Sequence, residues 1–256
     1  MKLIEKKGIW VLITGASSGI GKESAKIFAK NGINLILVAR REDKLLELKE
    51  KLLNKYDILI KVLSFDVRDR EIVFEKLNNL EIIPNILINN AGLASGFSSI
   101  QDGNFEDWDK MIDTNIKGLL NVTKALLPKM IKNGMGHIIN IGSIAGHQVY
   151  PKGNIYNATK FAVKALTEAM NSDLVNSEIK VSSIDPGAVE TEFSIIRFHG
   201  DEEKAKNVYN GYMPLTPKDV ADSIFYVASL PKHVNIPNLI IMPTAQRNVW
   251  QTYKEE

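Results

Sequence analysis

The chain has 256 residues, no cysteine, and 32 basic against 30 acidic residues, which gives a formal net charge of +2. The length suits one large α/β domain, the missing cysteine excludes disulfides and thiol chemistry, and the balanced charge argues against nucleic acid as a partner. No apolar run approaches the roughly 20 residues of a membrane span, and residues 1–8 are too short and polar for a signal peptide. We expect a cytoplasmic protein with small-molecule partners and no metal.

The first predicted element is a buried strand at residues 9–14, which leads through a glycine loop into a helix. This order is typical of the opening of a dinucleotide-binding fold, because glycines let phosphate oxygens approach the N-terminus of the helix. The Gly-x3-Gly-x-Gly spacing also fits a purely structural turn. On the first interpretation, the cofactor-binding residues of the loop are Gly15, Ser17, Ser18, Gly19, Ile20 and Gly21.

The second predicted strand, residues 34–38, is followed by Arg40 and Arg41, where an NAD-binding fold normally carries an acidic residue for the ribose 2′-hydroxyl. Guanidinium groups form charge-assisted, often bidentate hydrogen bonds to phosphate, so two arginines suit the 2′-phosphate of NADP. The alternative is that they only pair with Glu42 and Asp43, at the start of the next helix. We predict NADP as the cofactor.

The next elements alternate between helix and strand. Asp66 and Val67 follow the third strand, and Asp66 can either accept a hydrogen bond from an adenine amino group or serve as a cap or turn residue. The fourth strand delivers Asn90, Ala91 and Gly92 to the same edge of the sheet, so we assign all five residues to cofactor binding. The predicted bounds are residues 42–55 (helix), 58–63 (strand), about 70–80 (helix) and 86–88 (strand).

Residues 105–133 predict one long helical stretch, interrupted at Asn115 and again near Pro128. The apolar run at residues 138–141 predicts a short buried strand, and Ser143 lies just beyond its end. We therefore expect Ser143 to face a crevice, where its hydroxyl would hold a substrate oxygen.

Tyr156 opens a helical pattern that runs to about residue 177, and Lys160 follows it by four positions on the same face. A phenol with a pKa of about 10 is a poor base at neutral pH, but a nearby ammonium and a cationic nicotinamide ring stabilise its phenolate. The pair therefore predicts a general base. Taken alone, the two residues also fit an amphipathic pair on a helix surface.

The last third of the chain predicts two more strands and one more helix. Thr216 and Pro217 form a favourable helix start, and Leu230-Pro231 ends that helix. Residues 189–193 begin a loop that we expect to lie over the cofactor. The predicted strands are residues 179–184 and 239–242.

The motifs together resemble those of the short-chain dehydrogenase/reductase family. The order of the glycine loop, Asn89-Asn90-Ala91-Gly92, Ser143 and Tyr156-x3-Lys160 is the family's order, and Pro186-Gly187 matches its motif after the sixth strand. The resemblance implies NAD(P) binding and hydride transfer between nicotinamide and a carbinol carbon. Tyr156, Lys160, Pro186, Gly187, Val189 and Thr191 are assigned to cofactor binding as well. It also implies that Ser143, Tyr156, Lys160 and Asn115 are the catalytic set, with Asn115 holding a water linked to Lys160.

The expected fold is therefore α/β: a single-domain, Rossmann-type, doubly wound and mostly parallel seven-stranded sheet with helices on both faces. One NADP-binding oxidoreductase domain would span residues 1–256. Its cofactor half covers about residues 9–143, and its catalytic and substrate half covers about residues 137–256.

A narrower resemblance is to the NADP-dependent 3-hydroxy acid dehydrogenases that act on serine and L-allo-threonine and reduce malonic semialdehyde. It rests on segments within residues 91–96, 108–114, 191–201, 215–220 and 230–236. It implies oxidation of small 3-hydroxy acids such as 3-hydroxypropionate. The alternatives are a broad carbonyl or 3-oxoacyl reductase of the same family and a non-catalytic NADP-binding regulator.

Arg197 is a candidate substrate residue, beside Ser143 and Tyr156. It lies among apolar neighbours in the loop at residues 191–201, where a guanidinium can grip a carboxylate bidentately. The alternative is that Arg197 pairs with Glu192 or Asp201 on the surface. The resemblance also implies a homotetramer that pairs the two long helices, with close-packing positions at Phe161, Ala162, Ala165 and Ala169, which would look the same in a core.

Overall fold

The computed structural model describes residues 8–254. The ends of the predicted domain, residues 1–7 and 255–256, lie outside the described residues, and the expectation about a signal peptide falls there. In the described part, parallel strands form one sheet in the order β3-β2-β1-β4-β5-β6-β7. The strands are β1 (Trp10–Thr14), β2 (Asn34–Ala39), β3 (Ile60–Ser64), β4 (Ile86–Asn89), β5 (Gly136–Ile141), β6 (Ile179–Pro186) and β7 (Asn238–Ile241).

Helices cover both faces of this sheet, so the predicted Rossmann-type, doubly wound fold is confirmed. The helices of the described part are α1 (Gly19–Lys30), α2 (Glu42–Leu53), α3 (Arg70–Asn78), α4 (Phe105–Ile112), α5 (Leu119–Lys132), α6 (Asn154–Asp173), α7 (Phe193–Arg197), α8 (Glu202–Asn207) and α9 (Pro217–Ala228). None of them is long and apolar enough to cross a membrane.

Alternate residues of the central strands enter the two halves of the core. Val11 and Ile13 of β1 pack on the side of α1, α2 and α9, whereas Leu12 packs on the side of α3, α5 and α6. A parallel strand covered on both faces needs apolar residues at successive positions. This requirement explains the continuous apolar runs that identified the strands in the sequence.

β1 lies between β2 and β4, so the chain leaves β1 toward one side of the sheet and returns at β4 on the other side. The loops that follow these two strands therefore diverge. In open parallel sheets, this switch point leaves a crevice at the carboxyl ends of the strands. The crevice positions the candidate site described below.

The long predicted helical stretch is interrupted once and not twice. A π-helix occupies Asp113–Gly118, between α4 and α5, so the interruption at Asn115 is present. The prediction of an interruption near Pro128 is wrong, because α5 continues through that residue. The Lys124 carbonyl loses the N–H donor that residue 128 would normally provide, but both residues are exposed to solvent. Leu126 and Met130, on the other side of α5, are buried in the core. Tertiary packing thus outweighs the cost of the proline.

The end of α6 differs from the prediction, whereas the start of α9 agrees with it. α6 ends at Asp173 instead of about residue 177, because residues 174–177 form a turn in which the Ser177 hydroxyl donates to the Leu174 carbonyl at 2.8 Å. The predicted start of α9 is present as a capping box, with Thr216 accepting from the Asp219 N–H and Asp219 accepting from the Thr216 N–H. This reciprocal pair satisfies two donors at the helix start.

Candidate active site

The carboxyl ends of β1, β4, β5 and β6 open onto a cavity of about 660 Å³. Every cofactor-binding residue predicted from the sequence lines it except Gly21, and so do Ser143 and Arg197. Asn115 and Gly21 lie behind the cavity wall. The structure thus brings together residues that are up to 182 positions apart, from Gly15 to Arg197.

The glycine loop is shaped for close approach by an anion. Gly15 and Gly19 have φ angles of +67° and +51°, which favour glycine. A Cβ on Gly21 would lie 2.5 Å from the Gly15 carbonyl oxygen, so the third glycine allows helix and loop to pack. The Ser18 side chain makes no capping hydrogen bond, which leaves the first-turn N–H groups of α1 available for an anion. This arrangement fits the pyrophosphate of a dinucleotide.

Thr14 fastens the loop after β4 to the glycine loop. Its Oγ1 accepts from the N–H groups of Asn90 and Ala91, both at 3.0 Å. In return, the Asn90 amide donates to the Thr14 carbonyl at 2.8 Å. These bonds join two loops that are 76 residues apart into one rigid cavity floor.

Arg40 and Arg41 stand at the mouth of the cavity, and their ion pairs are not with Glu42 or Asp43. Arg41 contacts Ser17 at 3.2 Å and pairs with Glu192 at 3.1 Å, so it links the glycine loop to the loop after β6. Arg40 makes a longer contact of 3.7 Å with Asp66, and its side chain is 57% exposed. Arg40 is therefore free to reach a 2′-phosphate.

Asp66 is held by Arg68. The Arg68 guanidinium donates to both carboxylate oxygens, at 2.7 to 3.1 Å, and the Arg68 N–H donates to one of them at 3.0 Å. Burial alone would raise the pKa of Asp66, but the hydrogen bonds and charge of Arg68 outweigh it and lower that pKa. Asp66 thus acts as a turn residue, one of the two roles considered from the sequence, and it also lines the cavity.

Ser143 lies at the end of β5, as expected, with extended backbone geometry. Its Oγ accepts from the Ala145 N–H at 3.1 Å and contacts the Pro186 carbonyl at 3.4 Å. It also lies close enough to the Tyr156 hydroxyl to lower the pKa of that phenol. The serine and tyrosine hydroxyls therefore face one point, where both can contact the same substrate oxygen.

Tyr156 and Lys160 lie on the cavity face of α6, with the lysine Nζ 5.8 Å from the centre of the tyrosine ring. Burial raises the pKa of Tyr156 above its usual range, and Tyr150 adds to this rise, whereas Ser143 and Arg197 oppose it. Burial lowers the pKa of Lys160 to about 8, against the opposing charge of Asp185. Among the chain's own groups, burial thus outweighs the favourable interactions, and the pKa of the phenol shifts in the direction opposite to the one expected from the sequence.

Lys160 and Asn115 are both positioned by backbone groups. The Lys160 ammonium donates to the Ile141 carbonyl at 2.8 Å. The Asn115 side chain accepts from the Leu93 N–H at 2.9 Å and donates to the Leu93 carbonyl at 2.8 Å and to Thr159 at 3.0 Å. Asn115 thus fixes the loop after β4 against α6. Its predicted water link to Lys160 stays a prediction.

Arg197 lines the cavity and does not form an ion pair on the surface. Its guanidinium carbon is 4.7 Å, 5.3 Å and 5.8 Å from the ring centres of Phe97, Tyr150 and Tyr156. The surface alternative is wrong, because Glu192 pairs with Arg41 and Asp201 pairs with Lys204. The Nε and Nη2 atoms of Arg197 are buried and have no hydrogen-bond partner. These two nitrogens form one edge of the guanidinium, the edge that binds two oxygens of an anion side by side.

The loop after β6 closes over the cavity from the other side. Phe193 packs edge-on against Tyr156, with ring centres 5.5 Å apart. Thr191 faces the glycine loop, because its Cγ2 would lie 3.5 Å from a Cβ on Gly19. The Thr191 side chain also accepts from the Phe193 N–H at 3.1 Å. We call residues 191–201 the lid.

Sequence reasoning missed several residues of the cavity wall. Phe97 and Tyr150 surround Arg197, yet neither belongs to a periodic pattern. Gln246 accepts from the Ala188 N–H at 2.8 Å, and Gln246, Val249 and Thr252 line the cavity, although no motif marks this tail. No group of three or more His, Asp or Glu residues in residues 8–254 is arranged to hold a metal ion.

Comparison with known proteins agrees with this geometry. A family model described as short chain dehydrogenase matches residues 9–200. Sulfoacetaldehyde reductase 2 of Chromohalobacter salexigens is 44% identical over 247 residues, which are 95% of this chain and 96% of that protein. The NADP-dependent 3-hydroxy acid dehydrogenase of Schizosaccharomyces pombe is 40% identical over 253 residues, 97% of this chain and 98% of that protein.

Solved structures agree as well. The closed form of serine dehydrogenase complexed with NADP+ has a TM-score of 0.91 and 40% identity, covering 97% of this chain and 100% of that chain. Serine dehydrogenase from Escherichia coli has a TM-score of 0.80 and 37% identity, covering 93% of this chain and 99% of that chain. The glycine loop, the Ser143, Tyr156 and Lys160 arrangement and these similarities lead to one conclusion: the chain belongs to the short-chain dehydrogenase family.

Proposed function

We propose that this protein is an NADP-dependent oxidoreductase that transfers hydride between nicotinamide and the 3-hydroxyl carbon of small 3-hydroxy acids. Its substrates are of the serine, L-allo-threonine and 3-hydroxypropionate or malonic semialdehyde type. The cofactor is NADP, as in the names of several similar proteins. The exposed Arg40 at the cavity mouth supports this assignment, because its guanidinium suits a 2′-phosphate.

The catalytic role of each side chain follows from its position. When bound, NADP supplies the hydride acceptor or donor. As the phenolate, Tyr156 would take the proton from the substrate hydroxyl, and as the phenol it would return that proton to a carbonyl oxygen. Ser143 would hold that same oxygen. Lys160 is buried beside the Tyr156 ring, where its ammonium form favours the phenolate.

One observation carries the proposal for substrate class: the unpaired edge of Arg197 next to Tyr156. Buried guanidinium nitrogens without hydrogen-bond partners are costly, so an anionic substrate that reaches Nε and Nη2 gains affinity there. A carboxylate bound to Nε and Nη2 would place a carbinol carbon two atoms away, toward Tyr156 and Ser143. A long acyl substrate without an anion would leave the Arg197 edge unpaired, which disfavours the 3-oxoacyl reductase alternative.

A second candidate substrate class is the small sulfonated aldehydes. The relative with 44% identity is a sulfoacetaldehyde reductase. A sulfonate also presents two oxygens to the free edge of Arg197, at a spacing that a guanidinium accepts. The regulator alternative is disfavoured, because Ser143 and Tyr156 converge on one point and Lys160 lies beside them.

A substrate panel tests the proposal. NADPH formation is measured with L-serine, L-allo-threonine and 3-hydroxypropionate, and NADPH consumption with sulfoacetaldehyde, acetoacetyl thioesters and aromatic ketones. We expect the highest kcat/KM among the 3-hydroxy acids. Preference for sulfoacetaldehyde would select the second candidate. Preference for an uncharged ketone or thioester would overturn the anionic substrate class, and no turnover of any compound would favour the regulator.

We also propose a homotetramer, from the family resemblance, and a cytoplasmic location, from the apolar runs and the polar first residues of the sequence. In the single chain, Phe161 is 40% exposed, and Ala165 and Ala169 are exposed with it on α6. They are not core positions, so the core alternative is wrong for these three. Small and aromatic side chains on an exposed helix face suit close packing against a second copy.

A further inference from the structure

The lid is joined to α4 by a cluster of three side chains. Asp107 of α4 accepts from the Ser95 hydroxyl at 2.5 Å and contacts His199 of the lid at 3.0 Å. Ser95 itself lies 3.4 Å from the same histidine nitrogen. Asp107 and His199 are 92 residues apart in the chain. We call these three residues the latch.

The backbone around the latch is shaped to bring these groups together. His199 has a φ angle of +54°, which a residue other than glycine rarely adopts. Gly96, next to Ser95, has a φ angle of +76°, and a Cβ there would lie 2.6 Å from Asp107 Oδ2. Its N–H donates to the Arg197 carbonyl at 2.9 Å. The left-handed backbone at His199 therefore coincides with the contact that joins the lid to α4.

Arg197 lies between two anchors of the lid. On one side Phe193 packs against Tyr156 and the small cluster that includes Trp108 and Met111 of α4. On the other side His199 is held by Asp107. Among the described residues the guanidinium makes no ion pair; its contacts are with the rings of Phe97, Tyr150 and Tyr156, and its Nε and Nη2 have no partner. The position of the guanidinium in the cavity therefore depends strongly on the lid backbone that carries it.

We propose that Asp107, Ser95 and His199 are positioning residues that hold Arg197 in the cavity and thereby set the enzyme's selectivity for anionic substrates. The part about selectivity rests on the proposed function of Arg197. The latch touches neither Tyr156 nor Ser143, so it acts through Arg197. Loosening it would widen the range of guanidinium positions and weaken anion binding, with little effect on the proton transfer at Tyr156.

The kinetic test compares two aspartates of α4. Asp107→Leu removes the latch, and Asp109→Leu removes an equal charge from an exposed position two residues further on, outside the latch. For Asp107→Leu we expect KM for 3-hydroxypropionate to rise by about tenfold with kcat within about twofold, and no comparable rise for 1,3-propanediol. Asp109→Leu should match the wild type. Equal losses on both substrates, or none, would overturn the proposal.

The histidine provides a rescue test. His199→Gly keeps the left-handed backbone and removes the latch, whereas His199→Asn keeps both that backbone and a hydrogen-bonding side chain. We expect His199→Gly to raise KM for 3-hydroxypropionate as Asp107→Leu does. For His199→Asn we expect a KM close to the wild-type value. Equal KM values for the two variants would show that the side chain of His199 has no positioning role.

Limited trypsin digestion of the full-length enzyme tests the latch without any substrate. Lys204 and Lys206 follow the lid, and we expect Asp107→Leu to increase cleavage there by about fivefold or more, relative to Asp109→Leu. Unchanged cleavage would show that the latch does not restrain the lid, whatever the effect of Arg197→Met on KM. If cleavage increases but Arg197→Met leaves KM for anions unchanged, the latch restrains the lid, but its role in selectivity fails with the proposed function.

Discussion

The guanidinium carbon of Arg197 lies 5.8 Å from the centre of the Tyr156 ring, and its Nε and Nη2 atoms are buried without a partner. The proposed base and an unsatisfied cation thus share one cavity. A hydrogen bond to a charged group contributes about 1.5 to 3 kcal/mol. We expect Arg197→Met to raise KM for 3-hydroxypropionate by roughly 10- to 100-fold and to leave 1,3-propanediol, already a poor substrate, almost unchanged.

Steady-state kinetics on both substrates measure this effect, with Arg70→Met as the control, because Arg70 is exposed at the start of α3. Removing an unpaired cation should also leave the thermal stability of the free enzyme unchanged or higher. Similar losses on the acid and on the diol would mean that Arg197 supports the lid and does not bind the carboxylate.

Tyr156 is the proposed general base. Tyr156→Phe should lower kcat by at least about 100-fold, because loss of a general base typically costs 10² to 10⁴. NADPH affinity, measured by fluorescence titration, should stay close to wild type. Lys160→Ala should damage both kcat and NADPH binding, since Lys160 lies on the cavity wall beside the tyrosine. If Tyr156→Phe kept a tenth of wild-type turnover, a different base would be required.

Arg40 should determine the choice between NADP and NAD. One charge-assisted phosphate contact contributes about 1 to 3 kcal/mol, so Arg40→Asp should reverse or abolish the preference for NADP. The ratio of kcat/KM for the two cofactors measures it. Arg70→Asp, the same change at an exposed site on α3, should leave the ratio unaltered. Equal efficiency of the wild type with both cofactors would contradict the assignment.

His137 should make the fold sensitive to acid. Its side chain is buried in β5 with Nε2 2.8 Å from the Ser182 hydroxyl, and burial, together with the charge of Lys180, lowers its pKa to about 3 from an ordinary 6.5. Below pH 6.5 the unfolded chain binds a proton that the folded chain rejects, so stability falls as pH falls toward 3. Between pH 6.5 and 5 this one residue should remove about 2 kcal/mol of unfolding free energy.

Urea unfolding at pH 7 and pH 5 measures this loss. His137→Leu should show a smaller loss between the two pH values than the wild type, because it lacks the titrating group. His233→Leu, at an exposed histidine, serves as the control and should keep the wild-type loss. An identical loss in His137→Leu and wild type would show that other groups cause the acid sensitivity.

The exposed face of α6 should form a contact between copies of the chain. Phe161→Glu places a charge at the exposed aromatic position, where it would be desolvated in a helix-to-helix interface. We expect light scattering at micromolar concentration to give a tetramer mass for the wild type and a smaller assembly for the variant. Val175→Glu, at an exposed position after α6, is the control. A monomer mass for the wild type would contradict the proposal.

The sequence by itself determined the sheet, the order of the motifs and the family. Apolar runs such as the one in β1 identified strands because a sheet covered on both faces needs them. Thr216 and Pro217 identified a helix start because the bonds of an N-cap lie within four residues. The motif residues Ser143, Tyr156 and Lys160 could be placed because strand ends and the helical spacing of four are local properties. These are all short-range features of the chain.

Only the tertiary structure decided what surrounds those residues. The continuation of α5 through Pro128 depends on packing of its apolar face against the sheet, which outweighs local propensity. The free edge of Arg197, and the contact of His199 with Asp107 across 92 residues of chain, leave no pattern in the sequence. Whether a charge is paired or left open depends on which distant side chains reach it, and the packing of the whole fold determines that.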